Sequence, residues 1–237
     1  MSRTVVALAF SMLIGSRADF GFSQTDEPPG KPRLELFWSD YRLLLSKLSS
    51  GARKALEREA RSIFAEAGIE LSFFVGSPED HGERSARAIR IILMPRSAEG
   101  WTLPGNAMGA ILEKSGGAVY IFVPVVERTL GYAVDDKILH DGRKAHALAR
   151  ALARVLAHET VHAIDPDIPH GPEGSVMSAN LSRELLLEHR LSFHESTTIQ
   201  LLQTLGRICD ASRTRMKTLH RARARNSPRS DRPTDPL

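Results

Sequence analysis

The stretch from Arg143 to Ile164 constrains this chain more than any other. Leu148, Leu152, Val155 and Leu156 recur there at the three- and four-residue spacing of a helix with one apolar face. Asp165-Pro166 ends the pattern, because a residue preceding proline is pushed out of the helical region. The C-terminal half of the same helix reads His158-Glu159-Thr160-Val161-His162. Four residues at about 100° each return to within about 40°, so both imidazoles stand on one face, one turn apart.

That spacing lets both rings bind one small ion, and imidazole is a preferred zinc ligand. Glu159 projects about 100° round the helix from His158, near such an ion without pointing at it. It is placed there to take a proton from a water on the ion, whose pKa zinc lowers to about 7. The chain has one cysteine, Cys209, which excludes an internal disulfide framework and a Cys-rich zinc site. Any metal must then be held by histidines and carboxylates. His170 lies past the helix end, across the Pro-rich turn Asp165 to His170, and a reversal there brings it back as a third ligand with one position open. The bland reading, two surface histidines and a core glutamate, leaves a buried carboxylate unpaired, which is costly.

The remaining segments supply a sheet and further helices. RLELFW (33–38), IELSFFV (69–75) and AIRIILM (88–94) are apolar and rich in β-branched or aromatic residues, so each reads as a strand. Segments 107–112 and 118–123 flank Ser115-Gly116-Gly117 and read as a hairpin. Ser50 precedes a helical pattern over 52–67, with Leu56, Ala60, Ile63 and Phe64 on one face and Gly68 as its stop. Segments 182–190 and 196–205 read as two later helices. The expected class is α+β, a mixed sheet with helices, in which the His-bearing helix is followed by a turn and C-terminal helices.

Length and composition fit one ordinary domain: 237 residues, 42% apolar and 25% charged, which excludes collagen-like, coiled-coil and wholly disordered chains. Residues 1–18 read as a signal peptide, with Arg3 before a short apolar core and small residues at the cleavage region. Residues 19–32 read as a linker, 33–209 as the folded domain and 210–237 as a basic disordered tail. From Arg207 onward nine Lys/Arg stand against three Asp, a net of +6, so the rest of the chain carries +4 − 6 = −2. The basic balance therefore belongs to a tail, not to a folded binding face. That tail could grip phosphates or anionic lipid, but no aromatic residue lies among its charges to stack on bases. The expectations are a secreted or periplasmic protein, no membrane span after signal removal, no nucleic-acid partner and a monomeric state.

Farther on stands Gly174-Ser175-Val176-Met177-Ser178. With these residues the chain resembles the metzincin clan of zinc endopeptidases, whose pattern is HExxHxxGxxH followed by a tight Met-containing turn, and is similar to small secreted bacterial matrixin-like proteins. The resemblance makes His158 and His162 the first two zinc ligands, Glu159 the general base and Met177 the turn methionine. It implies a metzincin-like α+β fold, a Zn2+ cofactor and hydrolysis of a protein or peptide substrate, with 107–112 as the edge strand that pairs with an extended chain. Met177 by itself would be an ordinary core methionine. The chain departs from the clan's pattern in several places. Asp165 holds the glycine position and Ile168 the third-histidine position, and the spacing to His170 is two residues longer. Ser178-Ala179-Asn180 follows the turn where some members carry a tyrosine. Two alternatives stay open. Glu184 or Glu188 could be the third ligand, as in the thermolysin-like gluzincins, and the domain could be a non-catalytic, zinc-stabilised peptide-binding module.

Overall fold

Alternation along the strands decides which face of the sheet is covered. In β1 (Arg33–Trp38), Leu34, Leu36 and Trp38 are buried on one side, and in β3 (Ala88–Met94) Ile89, Ile91 and Leu93 repeat the pattern. The computed structural model describes residues 31–39, 48–81, 88–96, 103–111, 117–132 and 142–208. These two strands join β2 (Glu70–Val75), β4 (Gly109–Ile111) and β5 (Ala118–Phe122) in one sheet of order β2-β1-β3-β5-β4. Every pairing is parallel except β4 with β5, which is antiparallel in the register Gly109↔Ile121, Ala110↔Tyr120 and Ile111↔Val119. β4 and β5, inside the 107–112 and 118–123 segments, are thus paired as the antiparallel arms of the expected hairpin, with β4 at the edge of the described sheet. The class is α+β with a mixed sheet.

The helices α1 (Ser50–Glu66) and α3 (Gly142–Ile164) pack against each other, α1 also on β2 and α3 on β4 and β5. Their apolar stripes, Leu56, Ala60, Ile63 and Phe64 in α1 and Leu148, Leu152, Val155 and Leu156 in α3, close one core with the buried strand residues. The start of α1 differs from expectation. Ser49, not Ser50, is the cap, its Oγ accepting from the Ala52 amide at 3.2 Å. Gly68, with φ of 75°, follows the helix in the left-handed conformation that suits glycine.

Two further elements correct the sequence reading. The apolar run of β5 passes straight into a short helix, α2 (Val123–Thr129), with a proline near its start. The segment read as helical over 182–190 forms only α4 (Arg183–Leu187), and Glu188 leaves it with extended backbone. Arg154 binds that end of the helix. Its guanidinium, fully buried in α3, donates to the carbonyls of Leu185 at 2.6 Å and Glu188 at 2.7 Å. It also donates twice to Glu59 Oε1 of α1, at 3.0 and 2.8 Å. One buried cation therefore ties α1, α3 and the end of α4 together. The last helix, α5, spans 195–208.

The described residues belong to a compact unit that begins at Lys31. The proposed signal segment, nearly all of the linker, Cys209 and the basic tail lie outside the described residues. Among the described residues no helix is long and apolar enough to cross a membrane.

Candidate metal centre

α3 delivers His158 and His162 to one face, and the chain after it supplies the third ring. Asp165 leaves the helix with its amide still bonded to the Val161 carbonyl at 2.9 Å. Its carboxylate then accepts from the Asp167 amide at 3.1 Å and from Thr204 Oγ1 of α5 at 2.7 Å. The Pro-rich turn is thereby held to the last helix, so Asp165 orients the turn and touches no imidazole in these contacts. Ile168, at the clan's third-histidine position, is buried in the core. The two extra residues carry the chain back out to His170.

The three rings converge. Ring centroids are 5.0 Å apart for His158 and His162, 5.2 Å for His158 and His170, and 5.0 Å for His162 and His170. One nitrogen from each lies within 4.8 Å of the others, an arrangement that could hold a metal ion. His158 is buried, His162 half-buried and His170 exposed, so the cluster opens to solvent on one side. Glu184 and Glu188 stay out of the group. Glu184 is exposed in the first turn of α4, where hydrogen bonds from its backbone and from Ser182 hold its carboxyl below the usual range.

Hydrogen bonding fixes which nitrogens face inward. His158 Nδ1 lies 2.9 Å from the Val176 carbonyl oxygen, and a carbonyl only accepts, so Nδ1 carries the proton and Nε2 keeps its lone pair. His162 Nε2 is buried and has no hydrogen-bond partner among the described residues. A buried polar nitrogen left alone costs free energy, and a cation among the three rings is the partner whose chemistry fits a neutral imidazole lone pair. Burial pushes the His158 imidazole down to about 4, the neighbouring rings adding to the shift and the Val176 carbonyl opposing it. Burial, then His170, lowers His162 as well. Both rings therefore stay neutral at pH 7, the form that ligates metal.

The Met177 segment braces the same rings. Met177 is fully buried and its carbonyl accepts from the amide of Gly171, the residue after His170, at 2.7 Å. Gly171 and Ser178 form a bridge, and the Val176 amide donates to Ser192 at 3.0 Å. The turn is thus bonded to His158 at one point and to the neighbour of His170 at another. Gly174, with φ of 86°, supplies the left-handed residue that the tight turn needs.

Glu159 faces a cleft of about 320 Å³ between β4 and the segment Ser178–Ser182, and Met108, Gly109 and His158 also line it. Burial raises the Glu159 carboxyl to about 7. The carboxylate packs directly on the backbone of Gly109. A Cβ placed at Gly109 would lie 2.7 Å from Glu159 Cδ and 2.7 Å from Oε1. The sequence reading missed Gly109 and the Val176 carbonyl. No local pattern marks either one, since both owe their place to long-range packing.

No protein-family profile and no curated protein matches the chain. Among solved structures, it is similar to the crystal structure of archaemetzincin from Methanopyrus kandleri, at 15% identity and a TM-score of 0.44, covering 76% of this chain and 98% of that one.

Proposed function

We propose that this chain is a secreted zinc-dependent endopeptidase of metzincin type, with His158, His162 and His170 as the metal ligands and Glu159 as the general base. The observation that carries the proposal is the convergence of three imidazoles around His162 Nε2, which has no hydrogen-bond partner among the described residues, beside a half-buried carboxylate that faces a cleft. Secretion rests on the first 18 residues of the sequence alone.

A zinc ion held by these rings supplies a Lewis acid that polarises a carbonyl and acidifies water. The chain's own groups do the rest. β4 is the edge strand of the sheet among the described residues, and its outer N–H and C=O groups would receive an extended peptide as a further strand. Ser178–Ser182 closes the opposite wall of the cleft. Glu159, raised towards neutrality, takes a proton from the attacking water on one carboxylate oxygen and returns it to the nitrogen of the leaving amine. The Val176 carbonyl keeps the His158 ring in its metal-binding tautomer. Met177 underpins the ring cluster through its backbone carbonyl, which holds the residue after His170.

Digestion of casein or gelatin tests the reading. Activity that disappears with chelator, returns with zinc and is lost in Glu159→Ala supports it. Zinc binding and tight peptide association without turnover in the wild type would favour the non-catalytic peptide-binding module.

A further inference from the structure

Gly109 is not a glycine for conformational reasons. The described glycines with positive φ are Gly68, Gly76, Gly117, Gly131 and Gly174, and Gly109 lies in regular strand backbone. What it provides is room. A Cβ there would meet Cγ, Cδ and Oε1 of Glu159, the latter two at 2.7 Å, well inside the 3.0 Å that real Cβ contacts keep. The strand cannot retreat cheaply, so it is the Glu159 side chain that must leave its place. Gly109 is fixed by pairing with Ile121, and the Phe122 amide donates to Met108 at 2.8 Å immediately beside it. Glu159 springs from the middle of a buried helix turn, between His158 and the fully buried Thr160.

We propose that Gly109 is a positioning residue: its missing side chain forms the seat that holds the Glu159 carboxylate against the edge strand. The carboxylate and any peptide paired along β4 then take their positions from the same backbone atoms. The proton acceptor and the bond to be cut are set in one register by a single residue. The effect on catalysis rests on the proposed peptidase function; the contact does not.

A thermal double-mutant cycle on the full chain, with and without zinc, separates the two. G109A should lower Tm by about 2–12 °C, the range expected for overpacking in a domain of this size. In an E159A background the same alanine should cost nothing or stabilise slightly, since it restricts only the unfolded chain. G109A should keep stoichiometric zinc while kcat on a peptide falls about 100-fold, the scale of a 1 Å misplacement, with KM within about threefold. E159D, one methylene shorter, should recover part of that loss in the G109A background although it lowers activity alone. If G109A does not fold, a folded G109A/E159A double variant carries the same result. Additive Tm changes around the cycle, an unchanged kcat in G109A, or failure of both alanine variants to fold would overturn the seat. Thermal coupling in a wild type that hydrolyses nothing leaves the seat standing and retires the peptidase.

Discussion

The Nδ1 of His158 lies 2.9 Å from the carbonyl oxygen of Val176, the residue just before Met177. Through this bond the turn sets the tautomer of a ring on α3, leaving Nε2 free towards the other two imidazoles. In the metal-free chain at pH 6, nitrogen-15 NMR should show His158 neutral, with its proton on Nδ1. The ring should protonate only as pH approaches about 4. A proton on Nε2, or a charged ring at pH 6, would contradict the tautomer assignment.

His170 comes from outside the helix, and its removal separates the competing ligand sets. His170→Ala should weaken zinc binding by at least about 100-fold, beyond the loss typical of removing a group that merely orients a ligand. Glu184→Ala and Glu188→Ala should leave the affinity unchanged, because neither carboxylate joins the cluster. Titration against a chelator of known affinity reads all three.

Burial gives Glu159 and His158 opposite effects on stability. Folding raises Glu159 from 4.5 to about 7, so the folded chain binds more protons in that window and this residue's contribution falls as pH rises. Folding lowers His158 from 6.5 to about 4, so its contribution grows with pH and is complete above 6.5. Glu159→Gln deletes only the first effect. In metal-free protein, the Tm of the variant minus that of the wild type should therefore increase from pH 4.5 to 7. A difference that stays flat would mean that the carboxyl is not desolvated.

Arg154 and Glu59 make a second stability test, away from the rings. Arg154 is fully buried and Glu59 is one-quarter exposed, so Glu59→Ala strands a buried cation and should cost about 3 kcal/mol in urea unfolding at pH 7. The pair between Arg33 and Glu70 lies at the surface, with side chains 74% and 50% exposed, and Glu70→Ala should cost no more than about 1 kcal/mol.

Much of this arrangement was legible because local patterns agree with their surroundings. β3 runs over the same residues as the apolar β-rich run at 88–94, and α3 extends only one residue beyond the periodic stretch at 143–164. What stayed hidden depends on distant partners. α4 stops at Leu187, where Arg154 binds the carbonyls of Leu185 and Glu188, a contact that a helical pattern in the sequence cannot reveal. α2 was hidden because Val123-Pro124-Val125-Val126 continues the apolar composition of β5 without a polar break. Within the site, one-turn spacing places His158 and His162 together. The position of His170 needed Ile168 in the core and Asp165 tied to Thr204, and Gly109 needed the sheet order itself.

Zinc-edge X-ray absorption on protein loaded with one equivalent of metal tests the central claim most directly. Three imidazole nitrogens at about 2.0–2.1 Å with one further light atom, falling to two imidazoles in His170→Ala, is the predicted result. A first shell with fewer than three imidazoles in the wild type, or zinc lost on desalting, would contradict the three-histidine centre and the hydrolytic function built on it.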